Sequence, residues 1–108
     1  MPPAAIYCNE ESTLEFEQFI TGDPGRGVDK RYSDEKVYFR VGGDNKYQLA
    51  ATKREVFDST RMIIRATIPA IKDNVGNRLE YYYEKKLDGH VNSWGTHEVP
   101  KTIPIKKR

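Results

Sequence analysis

The side chains best suited to chemistry in this sequence are aromatic. Three consecutive tyrosines, Tyr81-Tyr82-Tyr83, precede the one tryptophan, Trp94, by a short interval. On a strand, neighbouring side chains leave opposite faces. If Tyr81 and Tyr83 face a core, Tyr82 must face outward, and the three are not expected to be buried together. Trp94 sits in Asn92-Ser93-Trp94-Gly95-Thr96-His97, a polar, turn-rich stretch unlike the setting of a core tryptophan. An exposed tyrosine beside a tryptophan makes a flat apolar platform with polar edges. Such a surface suits sugar rings, peptides or nucleobases, because it offers area at low conformational-entropy cost. The alternative is a cross-strand aromatic pair that only stabilises a sheet.

Catalytic groupings are sparse. Carboxylates are plentiful, among them Glu15, Glu17, Asp34, Glu35, Glu80, Glu84 and Asp88. Glycosidic cleavage needs two of them facing each other across a cleft. Glu15 with Glu17, or Glu80 with Glu84, would instead share the solvated face of a strand. His90 and His97, with Asp88 and Glu98 nearby, match no standard metal-ligand spacing. A single cysteine, Cys8, rules out an internal disulfide and thiolate zinc clusters. Gly42-Gly43-Asp44 lacks the remaining glycines and the Lys-Ser/Thr of a phosphate loop and reads as a turn. No catalytic residue, metal site or cofactor is expected, and the chain does not read as an enzyme.

The elements that must position these residues are strands. Met62, Ile64, Ala66 and Ile68 alternate with Arg61, Ile63, Arg65 and Thr67; Val37, Phe39 and Val41 alternate with Lys36, Tyr38 and Arg40. Leu79, Tyr81 and Tyr83 oppose Glu80, Tyr82 and Glu84, while Leu14, Phe16 and Ile20 are set against Glu15, Glu17 and Phe19. Period-two patterning of this kind marks antiparallel sheets packed on one side. Turns are expected at Gly42 to Asn45, Asp73 to Asn77 and Asp88-Gly89, the last as a hairpin, with a long loop over Gly22 to Gly27. Pro69, Pro100 and Pro104 should mark strand ends or edges. Tyr47 to Phe57 has no N-cap and no sustained apolar stripe, so it reads as a strand with an irregular middle.

A length of 108 residues holds one domain with a modest core. The net charge of +2, from 18 basic and 16 acidic residues, gives no reason to expect a nucleic-acid partner. Arg40, Arg61 and Arg65 beside Tyr38 would be the stripe to test for one. No apolar run nears the ~18–20 residues that span a bilayer. The opening Met1-Pro2-Pro3-Ala4-Ala5 lacks a signal peptide's basic and apolar regions. A cytoplasmic setting without membrane contact is expected. Residues 1–11 read as a flexible lead in which Ile6 and Tyr7 could add an edge strand, 12–105 as the sandwich, and 106–108 as a basic tail.

The run Leu79-Glu80-Tyr81-Tyr82-Tyr83-Glu84, then Asp88-Gly89-His90-Val91, then Trp94, resembles the C-terminal signature of starch- and glycogen-binding modules. Those modules carry a Glu-Tyr-Lys-Tyr strand, an Asp-Gly turn and a sugar-stacking tryptophan. Ala66-Thr67-Ile68-Pro69 resembles the strand that precedes this signature. Leu14-Glu15-Phe16 and Lys36-Val37-Tyr38-Phe39-Arg40-Val41-Gly42-Gly43 resemble the divergent version of the module found in giant AAA-type ubiquitin ligases. The resemblance covers about residues 12 to 105. Tyr82 stands where the family has lysine, and Asn45-Lys46-Tyr47 replaces its Leu-Gly-x-Trp segment. The resemblance implies an all-β fold, an immunoglobulin-like antiparallel β-sandwich of about seven strands. It implies non-catalytic recognition of an α-glucan, with Trp94 stacking on a glucose ring, Tyr82 or Tyr47 as a second wall, and Asn92, His90 and Lys85 as hydrogen-bonding rim. The alternative is a protein-interaction or scaffolding sandwich of a larger protein such as a ubiquitin ligase, with sugar binding lost.

Overall fold

The computed structural model describes residues 3–19, 27, 31–72 and 76–107. Nine strands are formed there: β1 (Ile6–Tyr7), β2 (Ser12–Phe19), β3 (Tyr32–Val41), β4 (Gln48–Leu49), β5 (Ala51–Asp58), β6 (Arg61–Ile68), β7 (Arg78–Leu87), β8 (His90–Trp94) and β9 (Lys101–Lys106). They make an all-β sandwich of two sheets. One has the order β2-β6-β5; the other runs β1-β9-β7-β3-β4, with β8 also paired to β7. Pairing is antiparallel except for β1, which lies parallel to β9. The central strands and their order are those of an immunoglobulin-type sandwich.

Burial follows the alternation. Leu14 and Phe16 of β2, Met62, Ile64, Ala66 and Ile68 of β6, Val37 and Phe39 of β3, and Leu79, Tyr81 and Tyr83 of β7 meet in one core. Ile20, the next member expected on the β2 face, lies outside the described residues, as do most of the loop from Gly22 to Gly27 and part of the turn from Asp73 to Asn77. Phe16 stacks on Tyr83 with ring centroids 4.5 Å apart. Gln18 also points inward from β2, and its amide donates to the Tyr83 hydroxyl at 2.7 Å across the sheets. A buried amide and a buried phenol thereby satisfy each other.

Tyr47 to Phe57 is a strand interrupted in its middle. Gln48 and Leu49 pair with β3, whereas Ala51 onward pairs with β6 in the other sheet. The chain changes sheets at Ala50, which is buried and donates its amide to the Val37 carbonyl at 2.8 Å. A small side chain is what a strand crossing between two packed layers can accommodate.

The Asp88-Gly89 hairpin forms as expected, with φ of 51° and 83° at its two turn residues. Arg31 grips the Asp88 carboxylate through two nitrogens, at 2.8–3.2 Å. Pro69 and Pro100 flank strands, but Pro104 lies inside β9, opposite Arg78. Its neighbour Ile105 directs its N–H and C=O to Asn77 and Gly76 on the β7 side. Alternation then turns the proline nitrogen the other way, so no ladder bond to β7 is lost. Ile6 and Tyr7 do form a strand, and Ile6 is buried in the core, so the sandwich begins before residue 12.

Candidate binding site

β7 has two partners along one edge. Its first half pairs with β9, Arg78 to Tyr81; its second half pairs with β8, Tyr83 to Leu87. The loop between β8 and β9 breaks what would otherwise be a single strand. Because the hairpin turn holds two residues, His90 faces Leu87, Asn92 faces Lys85 and Trp94 faces Tyr83. All of these share the inward face of the large sheet with Tyr81 and Tyr83. Four of the six expected ligand residues, Trp94, Asn92, His90 and Lys85, therefore stand on one face.

The other two do not join them. Tyr82 points to the outer face, as the alternation requires, yet only 7% of its surface is exposed. Its ring stacks on Tyr38 at 4.8 Å and meets the Tyr47 ring edge-on at 4.9 Å, with His97 next to both. Tyr47 comes from the loop before β4 and donates its hydroxyl to the His97 carbonyl at 3.0 Å. Two polar loops thus fold over the sheet and bury Tyr82 from outside. The expectation that Tyr81, Tyr82 and Tyr83 cannot all be buried is overturned: all three are. The expected pairing of Trp94 with Tyr82 or Tyr47 is not formed.

Trp94 is instead one wall of a cleft. Half of its surface is exposed. The cleft, of about 360 Å³, is lined by Glu15, Phe16, Glu17, Gln18 and Phe19 of β2, Tyr83 and Lys85 of β7, and Trp94. That volume lies in the range of small-ligand sites, roughly 300–1,000 Å³. Five consecutive residues of β2 line it, from both faces of the strand, so the cleft runs against the strand's edge. β2 is an edge strand of its sheet, and no further strand pairs with it among the described residues. Phe19 forms the opposite apolar wall and is 58% exposed.

The indole is held in place. The Lys101 ammonium lies 4.4 Å from its ring centroid, a cation–π contact. Burial pushes the Tyr81 hydroxyl pKa up, and a hydrogen bond with Trp94 pulls it partly back. Gly95, with φ of 77°, turns the chain directly after Trp94; a Cβ there would stand 3.2 Å from the Lys101 amide nitrogen and 3.3 Å from the Tyr82 Cβ. Lys85 crosses the cleft floor with its ammonium 5.0 Å from the Tyr83 ring centroid. Desolvation holds its pKa below the usual lysine value.

The carboxylates at the rim face cations rather than each other. Glu15 accepts from Arg65 at 3.1 Å, Arg65 also bonds Glu55, and Arg61 approaches Glu17 at 3.9 Å. Glu80 is paired with Arg40 at 2.9 Å on the outer face of the large sheet. Arg40 and the pair Arg61 and Arg65 thus belong to different sheets and form no common basic stripe. His90 and His97 are on opposite faces. Among the described residues, no group of three or more metal-ligating side chains gathers at one point. No helix there is long and apolar enough to cross a membrane.

Phe19, Gln18 and Lys101 were not singled out from the sequence. Gln18 carried a signal: it takes an inward position two residues after Phe16, where a polar side chain needs a buried partner. Lys101 and Phe19 carried none, because their contacts come from distant strands.

No family model matches the chain, and no curated protein does. The fold has a solved counterpart in an uncharacterized protein of Listeria monocytogenes, whose crystal structure is in complex with α-D-glucose, β-D-glucose, magnesium and calcium. The two superpose with a TM-score of 0.65 at 12% sequence identity, over 94% of this chain. The chain spans only 8% of the length of that protein. The likeness is one of fold.

Proposed function

We propose that this domain is a non-catalytic carbohydrate-binding module that takes an α-glucan-like chain in the cleft between β2 and β8. The observation that carries the reading is Trp94: a half-exposed indole, with the Lys101 ammonium against its ring, on the wall of a cleft that Glu17, Gln18 and Lys85 also line. A sugar ring presents an apolar face of axial C–H groups and a girdle of hydroxyls. An immobilised aromatic wall with hydrogen-bonding groups at its edge is complementary to both. The resemblance to starch- and glycogen-binding modules and the glucose complex of the structural counterpart support the same class of ligand. Fold alone does not certify it, since function resides in the site.

The test is a titration with a long maltooligosaccharide, following amide and indole NMR shifts. Shifts confined to Trp94, Phe19, Gln18 and Lys85, and abolished by Trp94→Ala in a protein that remains folded, are expected. A titration silent to tens of millimolar would refute the reading.

One observation favours a second reading. The cleft runs along a strand edge that pairs with no other strand among the described residues, and an extended peptide adding to β2 would find backbone hydrogen bonds there, with pockets for alternate side chains. That mode suits a protein-interaction module of a larger protein such as a ubiquitin ligase. It predicts new hydrogen-exchange protection along Ser12 to Phe19 in the presence of the partner and none with sugar.

A further inference from the structure

The charges around the cleft are unevenly satisfied. On its β2 side, Glu15 and Glu17 face Arg65 and Arg61. On its β7–β8 side Lys85 lines it, and Lys101 of β9, outside the lining itself, lies against the Trp94 ring. Both rest on aromatic rings rather than on carboxylates, at 5.0 Å from the Tyr83 centroid and 4.4 Å from the Trp94 centroid. Several cations elsewhere do meet carboxylates: Arg31 with Asp88, Arg40 with Glu80, Arg54 with Glu35 and Lys86 with Asp34. The neighbours of Lys85 make the contrast sharper. Lys86, next in sequence, points to the outer face and finds Asp34 at 3.2 Å, whereas Lys85 points inward to the cleft.

An ammonium over an aromatic face keeps most of its field available to a third group, because the ring quadrupole neutralises little of it. In a half-enclosed cleft that field acts through a lower dielectric than at an open surface. The hydroxyls of a neutral glucan accept hydrogen bonds from an ammonium but leave its charge uncompensated.

We infer that the cleft is built for an acidic glycan, one bearing a carboxylate or phosphate group beside the ring that stacks on Trp94, with Lys85 and Lys101 as the groups that receive the anion. The inference rests on the carbohydrate reading above and narrows it. Lys85, on the cleft floor, would contact the anion directly. Lys101 would reach it past the indole edge and also hold that ring in position.

The test compares three ligands of similar length at low ionic strength, read through the emission of Trp94: a neutral maltooligosaccharide, the same chain carrying a phosphate monoester, and an oligoglucuronate. The acidic sugars are expected to bind about tenfold more tightly than the neutral one, and the advantage should shrink as salt is raised. Lys85→Met should weaken binding of the acidic chains far more than of the neutral one and so remove most of the advantage, and Lys85→Arg should keep it. Preference for the phosphate or for the uronate identifies which anion the cleft is shaped for. Equal affinity for neutral and acidic chains, or an advantage that survives in both Lys85→Met and Lys101→Met, overturns the inference and leaves the carbohydrate reading standing. Binding of none of the three overturns both. Inorganic phosphate alone serves as control: if it competes as well as the phosphorylated chain does, the site recognises a free anion and the inference fails.

Discussion

The Trp94 indole and the Tyr82 phenol leave opposite faces of one sheet, because Trp94 stands directly across from Tyr83. The two-residue turn at Asp88-Gly89 sets this register: each even-numbered residue of β8 meets an odd-numbered residue of β7. A shift of one residue would move the indole to the face of Tyr82. Two aromatic groups that look like one platform in the sequence are separated into a cleft wall and a cross-sheet packing cluster.

That separation predicts different outcomes for two alanine substitutions. Trp94→Ala should cost only about 1–2 kcal/mol of stability, the loss of a cation–π contact and of the packing of a half-exposed ring, and should eliminate ligand binding. Tyr82→Ala should cost about 3–5 kcal/mol, while Tyr82→Phe, which keeps the ring, should bind ligand as the parent does. Urea denaturation and ligand titration of the three variants check this; loss of binding in folded Tyr82→Phe would place the outer face in the site.

Gly95 and Gly89 both have positive φ, yet they differ in surroundings. A Cβ at Gly89 meets nothing within 4 Å, whereas at Gly95 it meets Lys101 and Tyr82 at 3.2–3.3 Å. Gly89→Ala should cost about 1–2 kcal/mol from backbone conformation alone. Gly95→Ala should cost more and should broaden the Trp94 indole resonance. Equal losses in denaturation midpoints would show that the contact is easily relieved.

Removing the Gln18 amide leaves the Tyr83 hydroxyl buried without its 2.7 Å partner. Gln18→Leu should therefore destabilise by about 1–3 kcal/mol despite its greater hydrophobicity. The double variant Gln18→Leu/Tyr83→Phe should recover much of that loss. A thermal denaturation cycle over the four proteins measures the coupling, and additive losses would refute it.

Alkaline pH should unfold the domain early. Burial raises the pKa of Tyr32, Tyr47, Tyr81, Tyr82 and Tyr83 above the ordinary value of 10.0. The folded state then holds phenolic protons more tightly than the unfolded chain does. Their contribution is whole below pH 10 and is lost as pH rises toward the folded values. Lys85, with its lowered pKa, works the other way, but alone against five tyrosines. The urea midpoint should be level to about pH 9 and fall steeply beyond about 10. Tyr83→Phe should flatten the fall; an unchanged slope would mean that Tyr83 titrates normally.

The faces of β3, β6 and β7 were legible in the sequence because a two-sided strand writes its burial in period two. Met62, Ile64, Ala66 and Ile68 are buried as that rule requires. Ile63, on the opposite face, is buried too, lying between Glu17 and Glu55 in a ladder of paired charges. Alternation cannot register cover of that kind, nor the cover given to Tyr82 by Tyr47 and His97. Both arise from side chains remote in sequence that lie across an outer face. The sheet change at Ala50 showed only as an irregularity. The cleft itself was illegible, since it is made by the edges of two strands, β2 and β8, whose neighbourhood no local pattern encodes.

The parallel seam between β1 and β9 has a mechanical consequence. Ile6 and Tyr7 run alongside Ile105 and Lys106 in the same direction, and Cys8 adds a backbone bond to Lys106. Tension applied between residues 3 and 107 would drag these strands past each other lengthwise. Their hydrogen bonds would then bear the load together instead of parting one at a time as in a peeled hairpin. Forced unfolding is governed by a rate, and under tension the domain should be held chiefly by this short seam, however stable its core.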